Sequence, residues 1–141
     1  MGAETTIRMM NIEDYEQLIE LWTAASGVSL SDADSRENIA AYLDRNSGLS
    51  YVATANGGVV GAVLGGHDRR RGYLHHLAVS GPYRGKGIGK SLVERCLAGL
   101  QAEGIRRCNL FILTDNEEGM GFWSHLGFQA RDGLIIFSVD I

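Results

Sequence analysis

The sequence predicts an α/β (α+β) fold: a mixed, mostly antiparallel sheet with four helices, in the order βααβββαβαββ. Three observations carry this expectation. Short β-prone runs alternate with stretches of helical periodicity; the pairs Asn56-Gly57 and Asp132-Gly133 supply the positive φ angles of tight hairpin turns; and the succession strand, helix, strand from Tyr73 to Leu113 makes a crossover unit with parallel neighbours. With 141 residues, 45% of them hydrophobic, the chain has material for one core and too little for two ordinary ones, so residues 1–141 are expected to form a single domain.

The elements follow in order. Ile7 to Met10 is a first strand, and Asn11 with Asp14 three residues on forms a cap ahead of a helix whose apolar positions are Ile12, Tyr15, Leu18, Ile19 and Trp22. After a polar loop, Ser31 to Asp34 cap a second helix carrying Ile39, Tyr42 and Leu43, which Gly48 ends. Tyr51 to Ala55 and Val59 to Leu64 are the strands of a hairpin about Asn56-Gly57. Tyr73 to Val79 is a strand that leads through Gly81 and Pro82 into a helix with Ile88, Leu92, Val93, Cys96, Leu97 and Leu100, stopped by Gly104. Cys108 to Leu113 reads as a buried strand. Asp115 or Asn116 then caps a short helix with Met120, Trp123 and Leu126, which Gly127 ends, and Phe128 to Arg131 with Leu134 to Val139 are expected as a last hairpin.

A net charge of −4 and a pI near 5.5 give no general field for nucleic acid, so any anion site must be local. The N-terminus has no basic start followed by an apolar run, and no stretch approaches the roughly 20 apolar residues of a membrane span, so a cytoplasmic protein without membrane contact is expected. Cys96 and Cys108 have no metal-ligand spacing and read as reduced core thiols; no metal is expected.

The most specific signal is the run Arg84, Gly85, Lys86, Gly87, Ile88, Gly89 between a strand and a helix. Alternate glycines leave amides unshielded at the positive end of a helix, where they favour a phosphate or pyrophosphate, and Arg84 and Lys86 add charge. Two common phosphate patterns do not fit. A nucleotide P-loop ending at Gly89-Lys90-Ser91 would need glycine where Arg84 stands; the dinucleotide fingerprint GxGxxG is broken by glycines at 85, 87 and 89, and no acidic residue ends the following strand.

The pattern [QR]xxGx[GA] does fit, and through it the chain resembles the GNAT superfamily of N-acetyltransferases, specifically its small, single-domain, bacterial-type members. Leu77-Ala78-Val79 before the run, Asn116 after the next strand, the Phe122-Trp123 pair and Gly127-Phe128 extend the resemblance, as does the element order from Ile7 onward. The resemblance implies acetyl-CoA as donor cosubstrate and transfer to a primary amine of a small molecule or peptide by direct attack in a ternary complex. It implies a sheet splayed after Val79's strand, with the pantetheine arm paired to the backbone of Leu77, Ala78 and Val79. The Val79 amide would polarise the thioester carbonyl. Arg84, Gly85, Lys86, Gly87, Ile88 and Gly89 would hold the pyrophosphate, Tyr83, Arg84, Lys86 and Lys90 would reach phosphate or adenosine through their side chains, and Asn116 would lie near the thiol end. It also allows a homodimer, whose interface no residue here identifies.

For the chemistry, regular alternation would put Tyr73, His75, Leu77 and Val79 on one face and Leu74, His76 and Ala78 on the other. By the resemblance His75, with Tyr73 beside it, is the expected general base, since a neutral imidazole accepts a proton near pH 7. His76 reads as structural, and His67 and His125 as surface residues. Trp123 stands where many relatives place a tyrosine that protonates the thiolate; it is expected to pack against the pantetheine arm or the core, and its presence raises the alternative of a non-catalytic acyl-CoA-binding module. Asp68 with Arg69, Arg70 and Arg71 reads as a solvated turn, whereas Asp32 and Asp34 either attract a cationic amine or cap a helix.

Overall fold

Trp22 and Leu18 are fully buried on the inner side of the first helix, and the sheet they press against sets the positions of His75, His76 and the strand end at Val79. The structure, a computed structural model, describes residues 4–141. Contacts divide the chain into two compact units, Met1–Phe111 and Ile112–Ile141.

The first unit holds a five-stranded sheet in the order β1-β2-β3-β4-β5, built from Thr6–Met9, Tyr51–Ala55, Gly58–His67, Gly72–Val79 and Cys108–Asn109. The first four strands are antiparallel and β5 joins β4 in parallel, as the crossover unit requires. Helices α1 (Tyr15–Ala24) and α2 (Arg36–Arg45) cover one face, where Leu18, Trp22 and Ile39 meet Val52, Ala62, Leu64 and Ala78. Helix α3 (Ile88–Ala102) covers the other, burying Leu92, Val93, Cys96 and Leu100. Both caps expected ahead of α1 and α2 exist, but each closes a single 3-10 turn first. Asn11 caps Ile12–Asp14, Ser31 caps Asp32–Asp34, and α2 has its own cap in Ser35, whose hydroxyl accepts from the Asn38 amide.

β3 runs three residues past its expected end at Leu64, through Gly65 and Gly66. A Cβ on Gly65 would collide with the Leu49 carbonyl and one on Gly66 with Tyr42 and Asn46, so these glycines admit neighbouring backbone and side chains rather than ending the strand. β5 is shorter than the expected Cys108 to Leu113: its ladder with β4 stops at the pair Tyr73 and Asn109.

In the second unit, α4 (Glu117–His125) is capped by Asn116, whose Oδ1 accepts from the Gly119 amide at 2.9 Å. The final hairpin expected from Phe128 to Arg131 and Leu134 to Val139 does not form. Gly133 takes the anticipated positive φ of 85°, yet the flanking segments make no ladder, and a two-stranded ribbon alone is marginal in water. The observed order is therefore βααβββαβα.

Arg8 and Asp14 tie β1 to the start of α1. The guanidinium donates to both carboxylate oxygens at 2.8 and 2.9 Å, and Asp14 is 4% exposed. Burial alone would raise the Asp14 pKa, but the hydrogen bonds from Arg8 and from the Asn11 amide outweigh it and hold the pKa below its ordinary value. A carboxylate with a depressed folded-state pKa stabilises the fold above its unfolded value, and that contribution disappears as the pH falls through the folded one. Arg8→Ala should therefore cost about 1–2 kcal/mol in urea unfolding at pH 7, since the Arg8 end of the pair is solvent-screened, with the difference from wild type shrinking in acid as Asp14 protonates.

Candidate active site

Strand β4 carries the sequence Gly-Tyr-Leu-His-His-Leu-Ala-Val and does not alternate evenly. Its register with β3 slips between Leu64, opposite His75, and Ala62, opposite Ala78, and within this bulge His76 adopts φ +54°. A left-handed backbone at a residue with a Cβ costs roughly 1–2 kcal/mol. Three contacts hold it there. The Trp22 Nε1–H donates to the His76 carbonyl at 2.8 Å, the two rings meet edge to face at 5.1 Å, and His76 Nε2 lies 2.8 Å from Asp34 Oδ1. The expected division of faces is thereby corrected: His75, His76 and Ala78 all turn toward α1 and α2, because the bulge adds a residue and shifts the phase of everything after it.

His76 is thus held in the fold by hydrogen bonds to its carbonyl and its ring, as a structural histidine would be. Asp34 is 7% exposed, and its Oδ2 accepts from the Ser31 amide while its carbonyl accepts from the Tyr15 hydroxyl. Asp34 therefore has the expected capping use, closing a capping box, and in addition faces the His76 ring, whereas Asp32 stays on the surface. His75 stands beside it, half-buried and stacked at 6.3 Å and 4° on Tyr73, with Tyr42 and Phe111 on its other sides. Burial pushes the His75 pKa down, the neighbouring His76 pushes it the same way, and Asp34 partly opposes them. The imidazole is thus biased to the neutral form that accepts protons.

Beyond Tyr73 the edge of β4 on the β5 side has no strand partner among the described residues, so the backbone of Leu77 to Val79 lies outside any ladder on that side. At its end the chain turns through a 3-10 turn, Gly81–Tyr83, and Arg84 reaches back so that its Nε donates to the Val79 carbonyl at 3.0 Å. Gly85 and Gly87 have φ of 76° and 81°, and Gly87 is the N-cap of α3 without any side-chain cap. The first hydrogen bond of the helix runs from the Ser91 amide to the Gly87 carbonyl at 3.0 Å, leaving the amides of Ile88, Gly89 and Lys90 without helical acceptors. Ile88 is buried and anchors this end, while Arg84, Lys86 and Lys90 are exposed. Tyr83 accepts from Asn56 and lies under the Lys86 ammonium at 5.9 Å. A cleft of about 350 Å³ adjoins the turn, lined by Gln17, Glu20, Leu21 and Val59 together with Val79 and Arg84.

The remaining candidates fall elsewhere. Asn116 and Trp123 belong to the second unit, where Asn116 caps α4 and Trp123 packs edge to face on Phe122 and Phe128 at 5.1 and 5.0 Å. His67 departs from the surface role expected of it: its side chain is 9% exposed, and Nε2 pairs with Glu103 at 2.8 Å. Asp68 closes its turn by accepting from the amides of Arg70 and Arg71. Cys96 and Cys108 are free thiols. Among the described residues no three His, Cys, Asp or Glu gather into a metal site, and no helix is long and apolar enough to cross a membrane. Sequence reasoning missed Trp22 and undervalued Asp34, since a tryptophan on an apolar helix face signals only core.

Comparison with known proteins shows the family and the fold. The acetyltransferase (GNAT) family model matches residues 15–128. A protein named acetyltransferase from Yersinia pestis (strain Pestoides F) is 31% identical over 130 residues that make up 92% of each chain. Among solved structures, the PaiA N-acetyltransferase of Thermoplasma acidophilum in complex with coenzyme A is 26% identical, with 92% of each chain covered and a TM-score of 0.78. Ard1 of Thermoplasma volcanium shares the fold at 23% identity and a TM-score of 0.78, over 89% of this chain and 82% of its own. The chain belongs to the GNAT family, whose members are acyltransferases.

In an NMR pH titration, His75 should protonate below the ordinary histidine range. Asp34→Asn, which removes the one neighbour that raises the His75 pKa, should lower its midpoint further.

Proposed function

We propose that residues 1–141 form one acetyltransferase domain that acts in the cytoplasm and transfers the acetyl group of acetyl-CoA to a primary amine of a small molecule or peptide. The observation that carries the reading is the open N-terminus of α3, joined through the Arg84 side chain to the last residue of the unpaired strand edge. The amides from Gly85 to Lys90 suit a pyrophosphate, and Arg84, Lys86 and Lys90 supply cationic charge on a chain of net charge −4. Tyr83 and these side chains border the adenosine end, while the backbone of Leu77, Ala78 and Val79 offers pantetheine the hydrogen bonds that a sixth strand would otherwise take. The cosubstrate brings an activated acyl carbon and a thiol leaving group.

On the acceptor side, His75 takes a proton from the amine, with Tyr73 stacked on it to fix the ring plane. The Val79 amide steadies charge on the carbonyl oxygen. For Asn116 and Trp123 a role at the thiol end rests on the family resemblance alone. A thiol with a pKa near 8.5 leaves without strong acid help, so an indole in place of a phenol is compatible with turnover.

Two measurements test this. Thiol release over a panel of amines and peptides should depend on the amine; tight acetyl-CoA binding with no turnover on any acceptor would instead favour a non-catalytic acyl-CoA module. Gly89→Glu should weaken coenzyme A at least about 100-fold by calorimetry, because the carboxylate meets the pyrophosphate. It should leave the melting temperature unchanged or raised, since Glu suits the first turn of a helix better than Gly. Unchanged affinity would overturn the cradle.

A further inference from the structure

We propose that the end of the sheet remote from the glycine run is a docking site for an acidic protein segment that carries an apolar side chain. Charge is the starting point. On a chain of net charge −4, five arginines fall in two short segments, Arg69 to Arg71 between β3 and β4, and Arg106 with Arg107 ahead of β5. The fold brings these segments together. The Gly72 amide donates to the Arg107 carbonyl at 2.8 Å, and Gly72 pairs with Cys108 in the parallel ladder, so one step back along both chains sets Arg71 beside Arg107. Like charges on neighbouring strands destabilise the sheet unless an anion lies between them.

Among the described residues no carboxylate of this chain fills that place. The ion pairs there, at Arg8, Arg36, His67 and His76, leave out all five arginines. The two acids flanking the segments are engaged otherwise: Asp68 Oδ1 accepts from the amides of Arg70 and Arg71 at 2.9 and 2.8 Å, and Glu103 pairs with His67 at 2.8 Å. These bonds also stiffen the turn. The Arg69 amide donates to His67 Nδ1 at 3.0 Å and the Asp68 amide to the Arg71 carbonyl at 3.2 Å, so the arginines stand on a fixed backbone that needs little ordering on binding.

A cleft of about 630 Å³ adjoins them, lined by Leu97, Leu100, Ile105 and Cys108 together with Arg106 and Arg107. Leu100 and Ile105 are buried and both arginines are exposed, so the cleft is apolar at depth and cationic at its mouth. That combination selects the partner. Guanidinium forks pair bidentately with carboxylates, and the apolar depth takes one aliphatic or aromatic side chain. Single-stranded RNA is held by bases stacking on aromatic rings, and neither the two segments nor the cleft lining supplies one. The site lies at the Gly72 end of β4, roughly 20 Å from Val79 at the rise of a strand, so it leaves the coenzyme cradle free.

The test uses the full chain and a labelled Glu-rich peptide with one central leucine, followed by fluorescence anisotropy at low salt. The peptide should bind, and more weakly as salt rises. Arg70→Ala combined with Arg106→Ala should weaken it about 10-fold with the melting temperature held, because both side chains are exposed. Arg70→Lys combined with Arg106→Lys should fall between, since the charge stays and the fork is lost. Glycine in place of the peptide's leucine should also cost about 10-fold, and saturating coenzyme A should change nothing. Absence of binding, unchanged affinity in the alanine variant, or competition with coenzyme A overturns the proposal. So does an oligouridylate that binds more tightly than the peptide and is lost in the same variant.

Discussion

The hydrogen bond from the Trp22 indole to the His76 carbonyl is the contact on which the site depends. It joins residues 54 positions apart, one in the last turn of α1 and one in the bulge of β4. Since Trp22 is fully buried, its N–H must find a partner within the protein, and the bulge presents one. Each feature satisfies the other: the helix gains an acceptor for its largest core side chain, and the strand gains a clamp on a backbone conformation that would otherwise relax. The break in alternation then carries both histidines to the same side, while the short β5 leaves the last three residues of β4 without a strand partner on that edge among the described residues.

The anion cradle is local in the sense its composition demands. The chain is acidic overall, so attraction for a phosphate must come from oriented amides and a few nearby cations. Arg84 contributes in two ways, because its Nε is committed to the Val79 carbonyl while the rest of its guanidinium remains exposed. Strand end and the turn after it are thereby closed into one hydrogen-bonded ring ahead of the helix.

What could be read from the sequence was what neighbouring residues decide among themselves. The Asn56-Gly57 hairpin, the glycine run at the head of α3 and the caps at Asn11 and Ser31 all rest on contacts within four residues, and each is found where expected. The bulge was not legible, because nothing in Leu-His-His-Leu shows that Trp22 and Asp34 will close on it from other elements. The extension of β3 past Leu64 was not legible for a related reason: only the approach of Leu49, Tyr42 and Asn46 makes Gly65 and Gly66 necessary within a strand. The expected last hairpin erred the other way. Its turn residues behave as anticipated, but a turn signal says nothing about whether the flanking segments will find an edge to pair with.

The two cysteines bear on how the chemistry can be watched. Burial, with Cys108 adding to it, pushes the Cys96 thiol up to about 12, and burial pushes Cys108 up to about 11. At pH 8 their thiolate fractions are about one in ten thousand and one in a thousand, so reagents that consume thiolates react with them slowly. Cys96 is further engaged with the Leu49 carbonyl at 3.2 Å. The folded protein is thus nearly silent in its own thiol chemistry, and a thiolate signal that grows with time reports either a released leaving group or the opening of the core.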